Sequence, residues 1–200
     1  MTMNPRSFGT LCIIGSLIGI TDGVRLVILG RQLTPGIQTL DAITAMITVV
    51  AAIGGLCGLL GLLALRATGN NPIYRFLTSL PAVSYLAAII AGLGLLTGLL
   101  TADSNNPVVV LLGLLVEPVG PAAWLVVAIL TIAAKTWRGW RRLAPLVLVL
   151  AFPLGIVASL TTGLVGTFAI INYAATALLG YAVQSSESAA PLREVAAKGI

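Results

Sequence analysis

The sequence predicts an all-α integral membrane protein, a bundle of six transmembrane helices with the N- and C-termini on the cytoplasmic side. Apolar residues make up 58% of the 200 residues and charged residues 8%, whereas a soluble protein averages about 45–50% and about 25%. The mean hydropathy of +1.07 agrees. A globule of this composition could not cover its surface with polar groups, so the excess apolar surface must face lipid. This reasoning excludes soluble enzymes, DNA-binding domains and secreted disulfide scaffolds.

Apolar runs of the right length define the spans. A bilayer core about 30 Å thick needs roughly 20 apolar residues per helix. The uncharged stretch 143–183 would form a helix of about 60 Å, twice that thickness, so it must cross twice and turn near residues 161–163. The predicted bundle occupies residues 1–183, its spans are 8–30, 40–65, 77–100, 107–134, 143–160 and 164–183, and residues 184–200 form a short polar cytoplasmic tail.

Turn residues separate these spans. A Pro-Gly pair at 35–36 lies between the first and second spans, and the run Gly-Asn-Asn-Pro at 69–72 lies between the second and third. Two asparagines at 105–106 precede Pro107 at the start of the fourth. Gly and Asn tolerate positive φ, and Pro presets φ and suits the first turn of a helix. The chain is therefore expected to turn where the apolar runs end.

Basic residues determine the predicted orientation. With the N-terminus inside, Arg31 is the one basic residue in an outside loop, Arg25 lies within a span, and the remaining nine of the eleven Lys and Arg residues lie inside. Cytoplasmic segments of membrane proteins carry such an excess of positive charge. The nine inside residues are Arg6, Arg66, Arg75, Lys135, Arg138, Arg141, Arg142, Arg193 and Lys198.

A cluster of basic and aromatic residues follows the fourth span. Trp is enriched where a membrane meets water, so the two tryptophans of the cluster are predicted to lie in an interfacial aromatic belt. The basic residues are interpreted as a topology determinant, with binding of anionic lipid headgroups as the alternative. The cluster consists of Lys135, Trp137, Arg138, Trp140, Arg141 and Arg142.

Glycines recur at four-residue spacing in three of the spans. Small residues on one face let two helices approach closely in lipid. We therefore expect these ridges to pack the helices of the chain together, with contacts to a second copy or a partner as the alternative. The ridges are Gly15, Gly19 and Gly23 in the first span, Gly54 and Gly58 in the second, and Gly94 and Gly98 in the third.

Three ionisable side chains lie inside predicted spans: Asp22 and Arg25 in the first and Glu117 in the fourth. Charges there are costly and usually face the interior of the bundle. Counted from the outer ends of the two spans, Arg25 lies about 8 Å and Glu117 about 15 Å deep, a difference that an arginine side chain can bridge. The sequence thus predicts an ion pair between Arg25 and Glu117, with Asp22 as the second carboxylate.

The fourth span also contains residues that break helices. Pro118, Gly120 and Pro121 follow Glu117, and proline inside a helix removes a hydrogen bond and kinks or breaks it. Broken helices at mid-depth are a device of ion-coupled transporters, although proline kinks also occur in ordinary membrane helices. Asn172 adds a polar group to the sixth span. The charges and the break are interpreted either as a structural ion pair or as a transport site.

No catalytic constellation is recognisable in the sequence. There is no His, the commonest general base and metal ligand, and Cys12 and Cys57 stand alone in apolar runs. We therefore expect no enzyme activity, no metal site and no cofactor. The leading hypothesis is a structural or assembly subunit of a membrane complex. The alternative is a small-solute or proton-coupled transporter or channel that uses Asp22, Arg25 and Glu117.

The expected partners are the lipid bilayer and other membrane helices, of a second copy or of a partner subunit. Nucleic acid is not expected, because the basic residues flank apolar spans. The loops are compact and no Asn-x-Ser/Thr glycosylation site is present. These features favour a multi-pass protein of a bacterial plasma membrane.

Overall fold

A computed structural model describes residues 4–31, 42–100 and 106–186. These residues form eight α-helices and one short 3₁₀ helix, and no β-strand occurs among them. The all-helical class predicted from the sequence is thus confirmed. The helices are α1 (Pro5–Ile28), α2 (Ala42–Ala64), α3 (Pro72–Ser79), α4 (Pro81–Leu96), α5 (Pro107–Val116), α6 (Val119–Ala134), α7 (Ala144–Thr162) and α8 (Val165–Ser186), and the 3₁₀ helix Gly139–Leu143 precedes α7.

Six helical segments of the described residues are long and apolar enough to cross a membrane, as the sequence predicts. Large apolar side chains are exposed along their outer faces: Leu17 on α1 is 52% exposed, Ile90 on α4 56% and Leu154 on α7 60%. Such a surface suits lipid rather than water and indicates a multi-pass membrane protein. The segments are Pro5–Ile28, Ala42–Ala64, Pro72–Leu96, Pro107–Ala134, Gly139–Thr162 and Val165–Ser186.

An Asn-Pro pair starts three of the helices. The side-chain oxygens of Asn4, Asn71 and Asn106 accept hydrogen bonds of 2.9, 2.9 and 3.0 Å from the backbone N–H two residues further on. The proline after each asparagine lies in the first turn of α1, α3 or α5, where its missing N–H costs nothing. The third membrane segment therefore begins at Pro72, five residues before the apolar run that the sequence prediction used.

Proline divides the third and fourth membrane segments. α4 begins at Pro81, two residues after α3 ends, because Pro81 has no N–H to donate to the preceding turn. In the fourth segment the helix is interrupted at Glu117 and Pro118 and resumes at Val119. Pro121 lies in the first turn of α6, where it is tolerated. The fourth segment is thus broken at Pro118, and the sequence did not reveal the similar break in the third.

The glycine ridge of α1 lies where this helix packs against α2 and α8. A Cβ atom on Gly15 would lie 2.9 Å from the Cα of Gly54 on α2. A Cβ on Gly23 would lie 3.0 Å from the carbonyl oxygen of Gly166 on α8. Backbone meets backbone at both places, so no side chain larger than hydrogen fits without moving a helix.

The glycine ridge predicted for the third span does not form. Gly98 has a φ of +71° just beyond the end of α4, and no atom lies within 4 Å of the position of a Cβ there. The atoms nearest to a Cβ on Gly94 belong to Leu100, which follows the end of α4 in the chain. Gly92 is the α4 glycine that packs on α2, since its Cβ would lie 2.5 Å from the Val49 side chain. The helix stops before Gly98 although the apolar run continues, so the spacing of Gly94 and Gly98 has no packing role.

The main core lies in the half of the bundle that holds the N-terminus of α1 and the C-terminus of α8. Apolar side chains of α2, α6, α7 and α8 pack against one another there and are buried. These helices also surround the cavity described below. The largest buried side chains of this core are Leu59, Leu62, Trp124, Val127, Trp137, Leu148, Leu179 and Val183.

Candidate functional site

An ion pair lies near the C-terminal end of α1. Nε of Arg25 donates a hydrogen bond of 2.8 Å to Oδ1 of Asp22, one turn earlier on the same helix. Nη2 of Arg25 donates one of 2.6 Å to the hydroxyl oxygen of Thr44, in the first turn of α2. Asp22 is only 5% exposed. Arg25 therefore compensates a buried carboxylate and links α1 to α2.

Glu117 lies apart from this ion pair. It follows the last residue of α5, its side chain is exposed, and among the described residues it takes part in no ion pair and no side-chain hydrogen bond. α5 packs mainly against α4 and α6, whereas α1 packs against α8 and α2. This arrangement separates Arg25 from Glu117, although the sequence predicts that both lie at similar depth in the membrane. The predicted pair between Arg25 and Glu117 is not formed, whereas the predicted contact of Arg25 with the second carboxylate, Asp22, is formed.

A cavity of about 280 Å³ lies between α2, α4, α6, α7 and α8, beside the break that separates α5 from α6. None of the described side chains that line it is charged. Aromatic rings form much of its wall, and two pairs of them meet edge to face, with ring centroids 6.4 and 5.5 Å apart. These rings are Tyr85 with Trp124 and Phe152 with Phe168.

Polar groups also line the cavity, and some of them have hydrogen-bonding capacity left. The hydroxyl groups of Thr48 and Ser84 each donate to a carbonyl oxygen of their own helix, at 2.8 Å. Nδ2 of Asn172 donates to the carbonyl oxygen of Phe168 at 3.0 Å, but no described group donates to its Oδ1. Two tyrosines also line the cavity, and the O–H of each has no acceptor among the described residues. They are Tyr85, whose oxygen accepts a hydrogen bond from Trp124, and Tyr173.

Four of the polar side chains in the cavity wall lie directly against a glycine of a neighbouring helix. A Cβ on Gly19 would lie 2.6 Å from the Tyr173 ring, and one on Gly155 would lie 2.7 Å from Nδ2 of Asn172. Some of the glycines in the helices thus make room for polar side chains of the cavity wall rather than for the backbone of a neighbouring helix. The four pairs are Gly19 with Tyr173, Gly55 with Tyr85, Gly120 with Ser84 and Gly155 with Asn172.

Basic residues gather at the end of the bundle that holds the N-terminus of α1 and the C-terminus of α8. Nε of Arg141 donates a 3.1 Å hydrogen bond to Ser185 there. Trp140 is 44% exposed and stacks on Tyr181 with centroids 5.8 Å apart, which fits an interfacial position. Trp137 is 6% exposed and belongs to the core, so its ring faces protein rather than lipid, and its depth relative to the membrane interface stays a prediction. The described basic residues at this end are Arg6, Arg66, Arg75, Lys135, Arg138, Arg141 and Arg142.

Both cysteines are free thiols. Cys12 is buried against Gly58, on which a Cβ would lie 2.7 Å from the sulfur, and its thiol donates to the carbonyl oxygen of Thr176 at 3.4 Å. Cys57 is half-buried. Within the described ranges, no three His, Cys, Asp or Glu side chains come together as metal ligands would. The chemistry available at the cavity is therefore hydrogen bonding and aromatic stacking.

No family model matches the chain, and no curated protein or solved structure is significantly similar to it. The function must therefore follow from three features of the molecule itself. These are the ion pair between Asp22 and Arg25, the exposed carboxyl group of Glu117, and the cavity.

Sequence reasoning found Asn172 but missed Tyr85, Tyr173 and Ser84 as site residues. The sequence does contain a signal for the two tyrosines. Tyrosine in membrane proteins is enriched at the interfaces, whereas Tyr85 and Tyr173 both lie well inside their predicted spans, at 77–100 and 164–183. A hydroxyl group away from the interface has to find a polar neighbour, so these positions point to an internal polar site.

Proposed function

We propose that this chain is a non-catalytic subunit of a membrane complex that assembles with another membrane protein through the outer face of α5. The observation that carries the proposal is the exposed carboxyl group of Glu117. Pro107 begins the membrane segment ten residues earlier, so Glu117 lies about 15 Å along it, near the middle of a bilayer core about 30 Å thick. A charge facing lipid at that depth is costly, which favours a protein neighbour.

The surface around Glu117 is otherwise apolar. Val110, Leu111 and Leu114 of α5 are 45%, 57% and 55% exposed, and Leu112 is the buried residue of this helix. An apolar face with one acidic group suits contact with another helix in lipid, because association there depends on packing and on a few polar interactions. This face extends from Val110 to Glu117.

The partner expected at this face is a membrane helix that carries Lys or Arg at the same depth, since such a cation would pair with the carboxylate. The described residues give less support to a second copy of this chain as the partner. In the described membrane segments, every Lys and Arg lies within one turn of a segment end. A second copy therefore brings no described cation to the depth of Glu117.

The transporter alternative requires Asp22, Arg25 and Glu117 to act together. The separation of Glu117 from the ion pair of α1 leaves this alternative with less support than the assembly role. We propose that the assembly lies in a bacterial plasma membrane, where the chain contacts lipid and partner helices. It is not expected to bind nucleic acid. The same proposal holds that the chain has no catalytic activity of its own.

Purification from native membranes in mild detergent tests the assembly. We expect the wild-type chain to elute with a second protein in constant ratio, and Glu117→Gln to elute without it, because an amide cannot form the ion pair. The matched control is Leu154→Gln. It adds the same amide to an exposed site on α7 and should keep the partner.

Crosslinking from the same face makes the test specific. A photoreactive residue in place of Leu114 should attach to a partner helix that contains Lys or Arg, and one in place of Leu154 should not. If the wild-type chain elutes alone, or if Glu117→Gln retains the partner in full, α5 is not the assembly surface.

A further inference from the structure

We propose that the cavity between α2, α4, α6, α7 and α8 binds a neutral, single-ring molecule that carries carbonyl oxygens, the chemistry of a benzoquinone head group. The inference does not depend on the assembly role, because Glu117 does not line the cavity. It rests on the size of the cavity, on its lack of charge, and on hydroxyl groups that have no acceptor among the described residues.

The volume of the cavity suits such a ring. About 280 Å³ is roughly twice the volume of an engineered cavity of about 150 Å³ that binds benzene, so a ring with small substituents fits. The described lining has no charged side chain, and a charged ligand would lose its hydration there without gaining a counter-ion. Size and polarity together select a small neutral molecule.

Two phenol groups supply hydrogen-bond donors. Tyr85 on α4 and Tyr173 on α8 line the cavity. The Tyr85 oxygen accepts a hydrogen bond from Trp124, whose indole N–H can only donate, so the O–H of each tyrosine is left without an acceptor among the described residues. Both side chains are half-buried, and polar groups that are removed from water nearly always find a hydrogen-bond partner, so a ligand with acceptor oxygens would complete this site. Asn172 contributes a hydrogen-bond acceptor. Its Oδ1 accepts from no described group and can accept a hydrogen bond from a hydroxyl substituent of the ring.

The two phenol rings are held in place by the glycines that they contact. A Cβ on Gly19 would lie 2.6 Å from the ring of Tyr173, and one on Gly55 would overlap the ring of Tyr85. Trp124 lies edge to face with Tyr85 and also lines the cavity. A planar ligand can stack against these aromatic walls, which favours a ring over a flexible acyl chain.

Tryptophan fluorescence can report binding directly. Trp124 lines the cavity, and replacing Trp137 and Trp140 by Phe leaves it as the single tryptophan of the chain. The probe is dimethoxy-methyl-benzoquinone without an isoprenoid tail, because quinones quench indole emission. We expect saturable quenching at one quinone per chain. A reference protein that keeps only Trp140 should show the linear quenching caused by quinone dissolved in the detergent.

Removing single hydroxyl oxygens tests recognition of the carbonyl groups. Tyr85→Phe and Tyr173→Phe keep the rings, and each should weaken quinone binding about three- to tenfold, the effect of one hydrogen bond. The matched controls are the other two tyrosines of the chain, in Tyr74→Phe and Tyr181→Phe. They lie outside the cavity and should leave the dissociation constant unchanged.

Filling the cavity and removing the carbonyl oxygens complete the test. Ala88→Leu adds volume to the lining and should abolish saturable quenching in a protein whose helix content and melting temperature match the wild type. Dimethoxytoluene, which lacks carbonyl oxygens, should not displace the quinone. Linear quenching of Trp124, unchanged affinity in both cavity Tyr→Phe variants, or equal displacement by dimethoxytoluene would each overturn the proposal.

Discussion

Asp22 and Arg25 lie three residues apart on α1 and form an ion pair at 2.8 Å. Replacing Asp22 by Asn removes the negative charge from this pair and leaves the guanidinium without that carboxylate. We expect the free energy of unfolding to fall by about 1–3 kcal/mol. The effect should be smaller than for a fully buried pair, because the Arg25 side chain is 26% exposed. Reversible unfolding in mixed detergent micelles measures it.

Glu117→Gln is the control for this prediction in the isolated chain. Glu117 forms no ion pair with another described residue, so its replacement removes no such interaction within the chain and should not lower the free energy of unfolding. The opposite ranking of the two variants would show that Glu117, rather than Asp22, holds Arg25, as the sequence alone predicts.

The difference between the predicted and the observed ion pair has a geometric cause. The sequence identifies the charges within spans because such residues are rare there, and the helical rise gives their depth. Depth does not determine which helices are neighbours. Asp22 and Glu117 are both within reach of Arg25 by depth alone, and only the packing of α1 on α2 and α8 excludes Glu117.

At the scale of helices, the contact between α1 and α2 depends on paired glycines. A Cβ on Gly54 would lie 2.9 Å from the Cα of Gly15 and 3.2 Å from the carbonyl oxygen of Leu11, and backbone atoms cannot rotate away. Gly54→Ala should therefore force the two helices apart and lower the free energy of unfolding by about 1–3 kcal/mol. The melting temperature in detergent should fall accordingly.

Gly113→Ala is the matched control for Gly54→Ala. Gly113 lies inside α5, and nothing lies within 4 Å of the position of its Cβ. Alanine is the better helix former by up to about 1 kcal/mol, so this variant should melt at the wild-type temperature or above it. Equal destabilisation by both substitutions would mean that helix propensity, not the contact of α1 with α2, determines the outcome.

The helices show which local patterns can be read from the sequence. The spacing of glycines correctly predicts close packing for Gly15 and Gly54, because both lie within continuous helix. It fails for Gly98, because the helix has already ended and a glycine with positive φ terminates it. The break at Pro118 was recognisable because Gly120 and Pro121 accompany it, whereas the isolated Pro81 was not conspicuous in the sequence.

The cavity is a property of the whole bundle, and for that reason the sequence did not predict it. Its polar groups come from helices far apart in the chain, such as Tyr85 on α4 and Asn172 on α8. Hydropathy and spacing describe one helix at a time. They cannot show which side chains of different helices face the same space. The number of membrane segments, by contrast, depends only on the length of each apolar run.

Charge is distributed unequally between the two ends of the bundle. The end with the N-terminus of α1 holds seven of the described basic residues, whereas Arg31 is the one described basic residue beyond the helices at the other end. Because cytoplasmic segments carry the excess of Lys and Arg, the end with the N-terminus of α1 is predicted to face the cytoplasm. The orientation can be tested at two exposed threonines, one at each end.

Thr136 lies just after α6 at the basic end, and Thr162 ends α7 at the opposite end. In intact cells, an impermeant maleimide should label Thr162→Cys and should label Thr136→Cys only after the membrane is opened. The wild-type chain is the control: its two cysteines, Cys12 and Cys57, lie within helices and should not react. Labelling of Thr136→Cys in intact cells, with Thr162→Cys protected, would reverse the orientation. The basic cluster would then face outward, and the excess of Lys and Arg at this end would need an explanation other than topology.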